Sequence, residues 1–313
     1  QRGLVQCGVV TSIPGFSSSH ANGEWKGFDV AFCRSIAAAV LGDADKVRLV
    51  PVTDETGFVA LQSGGIDILA SAGWSQKRDV AMGVSFTGPM IVGSQGFLAH
   101  NDYKYKTVLE AKEITVCTVD DSYNRENIES YLEKEMDDAG REVRILNYTD
   151  MGQASTAFSN NRCELLFGFK PHLTGLSRVI SALKDSVVLE ENVSKEFRCP
   201  VVRKGDESWY DIVRSVRFGL VMAEGAGVGK KNITAVLQDK NSNLGSIFNN
   251  NKFSTSLGLK EDWLYQVILQ VGNYGEIWEE NLGSKTPLKI DRGVNTLWQD
   301  GGIIYFPPHE KLL

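Results

Sequence analysis

The stretch "SAGWSQKRD", Ser71 to Asp79, gathers groups that can hold an anion: two hydroxyls (Ser71, Ser75), the Trp74 indole and the adjacent cations Lys77 and Arg78. A planar guanidinium presents paired N–H donors to both oxygens of a carboxylate. Ser71, Ala72 and Gly73 are small enough to let backbone approach a ligand closely. The stretch follows "GGIDILA", which reads as a strand, and precedes the apolar "VAMGVSF". A solvated loop would look the same in isolation, so the surrounding elements must decide.

Those elements alternate. "GLVQCGVV" reads as a buried strand, and "GEWKGFDVAFCRSIAAAVLG" as a helix with Phe28, Phe32, Ile36 and Val40 on one stripe, ended by Gly42. "KVRLVPV" is a strand, "GFVALQSGG" a short helix and "IDILAS" a strand. A second set follows residues 91–101: strands "EITVCTV", "REVRILNY", "RCELLFGF" and "SVVLEE" alternate with helices over "NRENIESYLEKEMDDAG", "MGQASTAFSNN" and "PHLTGLSRVISALK". This order predicts parallel pairing with right-handed crossovers. Two extended segments, near residues 91–101 and 197–204, join the two sets, and from Ser208 onward the chain reads as mostly helical. The expected organisation is two α/β lobes, 1–97 with 204–313 and 98–203, hinged by two crossings. Ligands of open α/β sheets bind beyond the carboxyl ends of strands, so Ser71–Asp79 falls in a shared cleft.

Composition narrows the function. The 313 residues are 42% hydrophobic and 23% charged, ordinary for a globular protein of two domain-sized lobes. A net charge of −6 without a basic tail argues against nucleic acid. No apolar run reaches the ~18–20 residues of a membrane span. Gln1-Arg2-Gly3 leads into a strand with no signal-peptide pattern, a start compatible with cleavage or trimming. The four histidines are scattered and no C-x-x-C occurs, which gives a zinc site little support. The five cysteines are either reduced thiols or two disulfides with one left over.

The carboxyl-terminal stretches "QVGNYGEIWEENLG" and "PLKIDRGVNTLWQDGGIIYFPP", with "QRGLVQCGV" and "WKGFDVAFCRSIAAAV", closely resemble the general (polar) amino-acid substrate-binding proteins of bacterial ABC uptake systems. The resemblance covers nearly the whole chain and is weakest in the ligand loops. It implies a two-lobed periplasmic binding protein fold of type II, hinge closure on an amino-acid-like ligand, delivery to membrane permease subunits, a periplasmic monomer, and neither catalysis nor cofactor. It implies disulfides Cys7–Cys33 and Cys117–Cys163, leaving Cys199 free. Residue by residue, Arg78 matches the family's carboxylate clamp, Ser75 after Trp74 matches a hydroxyl of the same loop, and Phe16 matches an aromatic that covers the ligand. Asp29 matches a position with a structural role at a helix amino terminus. Lys77 is expected in solvent.

In the second lobe the pattern breaks. Where the family presents a Gly-Thr pair, this chain has Asp120, Asp121 and Ser122; the two acids either repel a carboxylate or cap the helix that follows. The family's ammonium-binding aspartate falls on Phe169, followed by Lys170. A buried ammonium without a carboxylate is costly, so either Asp120 or Asp121 replaces the acid, or the ligand lacks a free α-ammonium. Phe167 and Phe169 suit a more apolar ligand, or the core. Two other functions fit the same fold: a dehydratase using a cleft carboxylate, and a sensory ligand-binding module.

Overall fold

The computed structural model describes residues 2–19, 23–136, 142–239 and 251–307. In chain order its first half comprises β1 (Val5–Val10), β2 (Ser18–Ser19), β3 (Trp25–Lys26), α1 (Phe28–Leu41), β4 (Val47–Val52), α2 (Asp54–Ser63), β5 (Ile68–Gly73), α3 (Gln76–Ala81), β6 (Val84–Phe86), β7 (Ile91–Ala99), β8 (Glu113–Val119) and α4 (Ser122–Met136). There follow β9 (Glu142–Tyr148), α5 (Met151–Ser159), β10 (Leu165–Phe169), α6 (Lys170–Val179), β11 (Val187–Val188), β12 (Ser194–Arg203), α7 (Glu207–Gly225), α8 (Ile233–Gln238), α9 (Asn251–Ser256), α10 (Trp263–Gln270) and α11 (Tyr274–Asn281).

The main sheet runs β4-β1-β5-β12-β7-β10-β8-β9. At one end β4, β1 and β5 are parallel, and at the other β10, β8 and β9 are parallel, as strands joined by helical crossovers must be. Between them lie β7 and β12, the two extended crossings, antiparallel to each other. They do more than connect: β12 pairs with β5 through Arg198–Val201 and with β7 through Ser194–Arg198. The two halves therefore share one hydrogen-bonded path, and Arg198 sits where β12 passes from one to the other.

The stripe read on α1 is real. Phe28, Phe32 and Ile36 are buried against Tyr274, Trp278 and Leu264, and Gly42 stops the helix in the left-handed conformation at φ 74°. Beyond Asn281 the described residues form no helix apart from two short 3-10 turns, and Asn295 there ties the molecule at β7. Asn295 Oδ1 accepts from Val92 N (2.7 Å) and its Nδ2 donates to Val92 O (2.9 Å), while Tyr274 Oη donates to Met90 O (2.7 Å). Cys7 in β1 is bonded to Cys33 in α1, and Cys117 in β8 to Cys163 beside β10; Cys199 is free and buried in β12. Its thiol is pushed up to about 12 by burial, which makes it unreactive. "SVVLEE" forms only the two-residue β11, because Val187 is half exposed at the sheet's flank and pairs with β7 alone.

Candidate ligand-binding site

A cavity of about 300 Å³ opens where strands of both halves end. Val10 and Thr11 follow β1, Pro51 to Thr53 end β4, Val119 to Asp121 end β8, and Gly168 and Phe169 end β10, with Glu196 and Arg198 of β12 between. Helices α2, α4, α5 and α6 begin at this cavity. Three of these amino termini are occupied by the chain's own side chains. Thr53 Oγ1 accepts from Thr56 N (3.2 Å), Asp121 Oδ1 from Tyr123 N and Asn124 N (both 2.9 Å), and Asp150 Oδ1 from Gln153 N (2.9 Å). The amino end of α6 has no side-chain cap.

Arg198 is the guanidinium that lines the cavity. Its Nε donates to Ser71 Oγ (3.1 Å), Nη1 to Glu196 (2.8 Å), and Nη2 to Asp54 (3.2 Å) and to the Ser71 carbonyl (3.2 Å). Arg78 lies behind it. Its Nη1 donates to the Gly73 carbonyl (3.2 Å) and Nη2 to Asp121 (3.2 Å), with Asp54 at 3.9 Å and the Tyr123 ring at 4.9 Å. The stretch Ser71–Asp79 is thus a buttress for Arg198. Gly73 is needed there for close packing, since a Cβ would meet Tyr123 at 3.0 Å. Ser75 caps α3 by accepting from Arg78 N (3.2 Å). Trp74 is 41% exposed, donates to Asp79 (3.3 Å) and lies outside the cavity lining.

Burial dominates the electrostatics. Loss of hydration raises the Glu196 carboxyl to about 7 despite Arg198 beside it, and does the same to Asp29, buried in the first turn of α1. Asp121 is raised as well, by desolvation and then Asp54. Desolvation, then Arg198, holds the buried His172 well below the ordinary histidine range, so its imidazole is neutral.

The remaining expected residues are placed as follows. Phe16 is fully buried and meets His172 edge-on at 4.4 Å, so it supports the cavity wall through that ring. Asp120 lines the rim and pairs with Arg125, whereas Asp121 both caps α4 and pairs with Arg78. Ser122 opens α4; its side chain lies outside the described residues. Phe169 lines the cavity, while Phe167 packs into the core against Phe97. Lys170 points elsewhere: its Nζ donates to the Glu190 and Glu191 carbonyls (3.0 and 3.3 Å) and to Asn192 (3.0 Å). Lys77 is exposed and pairs with Glu126.

Sequence reasoning missed Arg198, Glu196, Asp54 and His172. A signal existed for the first two: in "SKEFRCPVV" the charges at 196 and 198 fall two apart, on one face of a strand that runs on into the apolar 199–202. For Asp54 and His172 no local pattern distinguishes a cavity residue from an ordinary first-turn residue.

A two-lobed α/β protein whose strand ends enclose a small polar cavity between hinge strands belongs to the class of solute-binding proteins. The chain matches the bacterial extracellular solute-binding proteins, family 3, over residues 5–254 and belongs to that family. It is 35% identical over 311 residues to the general L-amino acid-binding periplasmic protein AapJ of Rhizobium johnstonii, covering 98% of this chain and 90% of that protein. Against the putative amino-acid ABC transporter-binding protein YhdW of Escherichia coli the identity is 37% over 314 residues, with the same coverage. Among solved structures, the periplasmic binding protein from Brucella ovis with glutathione bound aligns at a TM-score of 0.92 and 33% identity, covering 98% of this chain and 96% of that one.

Proposed function

We propose that this protein captures a small, amino-acid-like solute bearing a carboxylate, in the periplasm and as a monomer, by closing its lobes on the solute, and then presents it to the permease subunits of an ABC transporter. The lobes are 1–97 with 204–313, and 98–203. The observation that carries the reading is the cavity itself: about 300 Å³, walled by strand ends of both halves, with the buried Arg198 guanidinium at its floor. A volume of that size suits one small solute. In this reading Arg198 meets the ligand carboxylate through its remaining N–H, Arg78 is the second cation behind it, and Phe169 covers the ligand's apolar part. Gly73, Trp74 and Ser75 act through the two arginines, and Phe16 acts through His172. Asp120 and Asp121 read polar groups at the second-lobe wall together with Ser122, while Lys170 fixes the 190–192 loop. Relatives that match over nearly the whole chain are named as binding proteins, which supports a non-catalytic role over the dehydratase reading.

Titration calorimetry on protein refolded free of bound solute tests this. At least one amino-acid-like solute should bind saturably, one per chain, and Arg198→Ala should weaken it by about 2–5 kcal/mol, the range for removing one member of a buried charged pair. Failure of every such solute to bind would sink the reading.

A further inference from the structure

The inner wall of the cavity is short of positive charge. Arg78 and Arg198 face three carboxyls, Asp54, Asp121 and Glu196, with Asp29 buried outside the lining, and each guanidinium already has a carboxylate partner at hydrogen-bond distance. At the rim Asp120 is matched by Arg125, and Asp150 spends both oxygens locally, one capping α5 and the other accepting from Gln153 Nε2 (3.0 Å). A ligand carboxylate therefore meets cations whose charge is largely matched, whereas a cationic group meets carboxyls in excess and favours the ionised form of Glu196, which burial alone opposes.

Two buried polar atoms mark where such a group docks. Glu196 is 1% exposed; one oxygen accepts from Arg198 Nη1, and Oε2 has no hydrogen-bond partner among the described residues. His172, 4% exposed, lines the same cavity with Nε2 likewise unpartnered among them. A buried carboxylate oxygen without a donor is destabilising, and a ligand N–H removes that penalty. Phe169 adds an aromatic surface beside both, its ring 5.0 Å from that of His172.

We infer that the cleft selects a solute of net positive charge, whose cationic nitrogen donates to Glu196 Oε2 on the hinge strand β12. The inference rests on the preceding reading of the cleft as a solute receptor and names the class of solute. It moves recognition of the cation from the end of β10, where Phe169 stands, to the crossing strand, where Glu196 and Asp54 share Arg198.

A thermal-shift and calorimetric panel tests it: L-arginine and L-lysine as cations, agmatine and cadaverine as cations without a carboxylate, L-glutamine as a zwitterion, and L-glutamate and glutathione as acids. Any compound that binds only the folded state raises the melting temperature. The cationic amino acids should bind at least about thirtyfold more tightly than L-glutamine, and Glu196→Gln should remove about thirtyfold or more of that preference. The ranking on unaltered protein carries the test even where the variant folds poorly. Binding led by L-glutamine, L-glutamate or glutathione overturns the inference and keeps the receptor. Cation binding unchanged in a folded Glu196→Gln variant also overturns the inference. Agmatine binding as tightly as L-arginine supports the inference and removes the carboxylate from the proposed ligand. A flat response to the whole panel overturns the inference, and the receptor reading falls with it only if the remaining amino acids also fail to bind.

Discussion

Two buried acids, one in the cavity wall and one in the first turn of α1, are forced to hold protons late. Glu196 and Asp29 are buried, and desolvation lifts each carboxyl to about 7 although Arg198 opposes the shift. In the unfolded chain the same groups titrate near ~4. Between those values the folded state binds protons that the unfolded state has released. Stability from these groups is therefore greatest at low pH and declines as pH rises to about 7, then levels off. His172 acts in the opposite sense below about 6.5, because its folded form resists the proton that the unfolded form accepts. The facing charges are Arg198, Asp54 and Asp121. Comparison with Glu196→Gln isolates one group. Relative to that variant, the wild type should lose up to about 1.4 kcal/mol per pH unit between pH 5 and 7, and nothing further above that. Urea denaturation of both proteins at four pH values checks this. A constant difference across the range would mean that Glu196 is ionised throughout.

At the scale of elements, much was legible and the gaps have physical causes. The stripe on α1, the alternation of strands and helices and the two crossings were readable because periodicity and order are local properties. The site was legible only in part. Arg78 carries the residue type of an anion clamp, yet its role depends on Arg198, 120 positions away in sequence and brought alongside by the β12–β5 pairing Arg198↔Gly73. Asp120 and Asp121 could be read as site acids or caps; the two differ because Asp121 turns inward to Arg78 while Asp120 meets Arg125 on the helix that follows. The disulfides, expected from family resemblance, are within single halves and join strand to helix or strand to turn. Each closes a substantial loop, with sequence separations of 26 and 46. The chain-entropy model assigns such loops about 3.5 and 4 kcal/mol. The double variant Cys7→Ser, Cys33→Ser should accordingly lose about 3–4 kcal/mol in urea denaturation, while Cys199→Ser, which breaks no bridge, should lose far less. Equal losses in the two would show that the bridge adds nothing beyond packing.

For the whole molecule, the decisive quantity is the balance between open and closed lobes. The structure is closed: Arg78 reaches Asp121, Phe16 meets His172, and Lys77 pairs with Glu126 at the rim. With the lobes divided as proposed, each of these contacts crosses between them. None holds the lobes shut alone. The rim pair is exposed and worth at most about 1 kcal/mol, and opening would rehydrate the buried ions. A ligand that touches both walls shifts such a balance by its differential affinity for the closed form. One position tests closure without touching ligand chemistry. Gly175, in the middle of α6, packs against the Pro14 carbonyl of the other lobe, and a Cβ there would lie 2.9 Å from that oxygen. Leucine at this site favours the helix by about 0.5–0.8 kcal/mol over glycine, so the lobe itself should not be weakened. Gly175→Leu should instead wedge the lobes apart. In solution scattering, wild type saturated with its ligand should approach the radius of a compact chain of this length, about 19–20 Å. The variant should stay larger with and without ligand, and bind more weakly, while its unfolding curve remains cooperative. If Gly175→Leu compacts and binds as the wild type does, the contact between α6 and Pro14 does not govern closure.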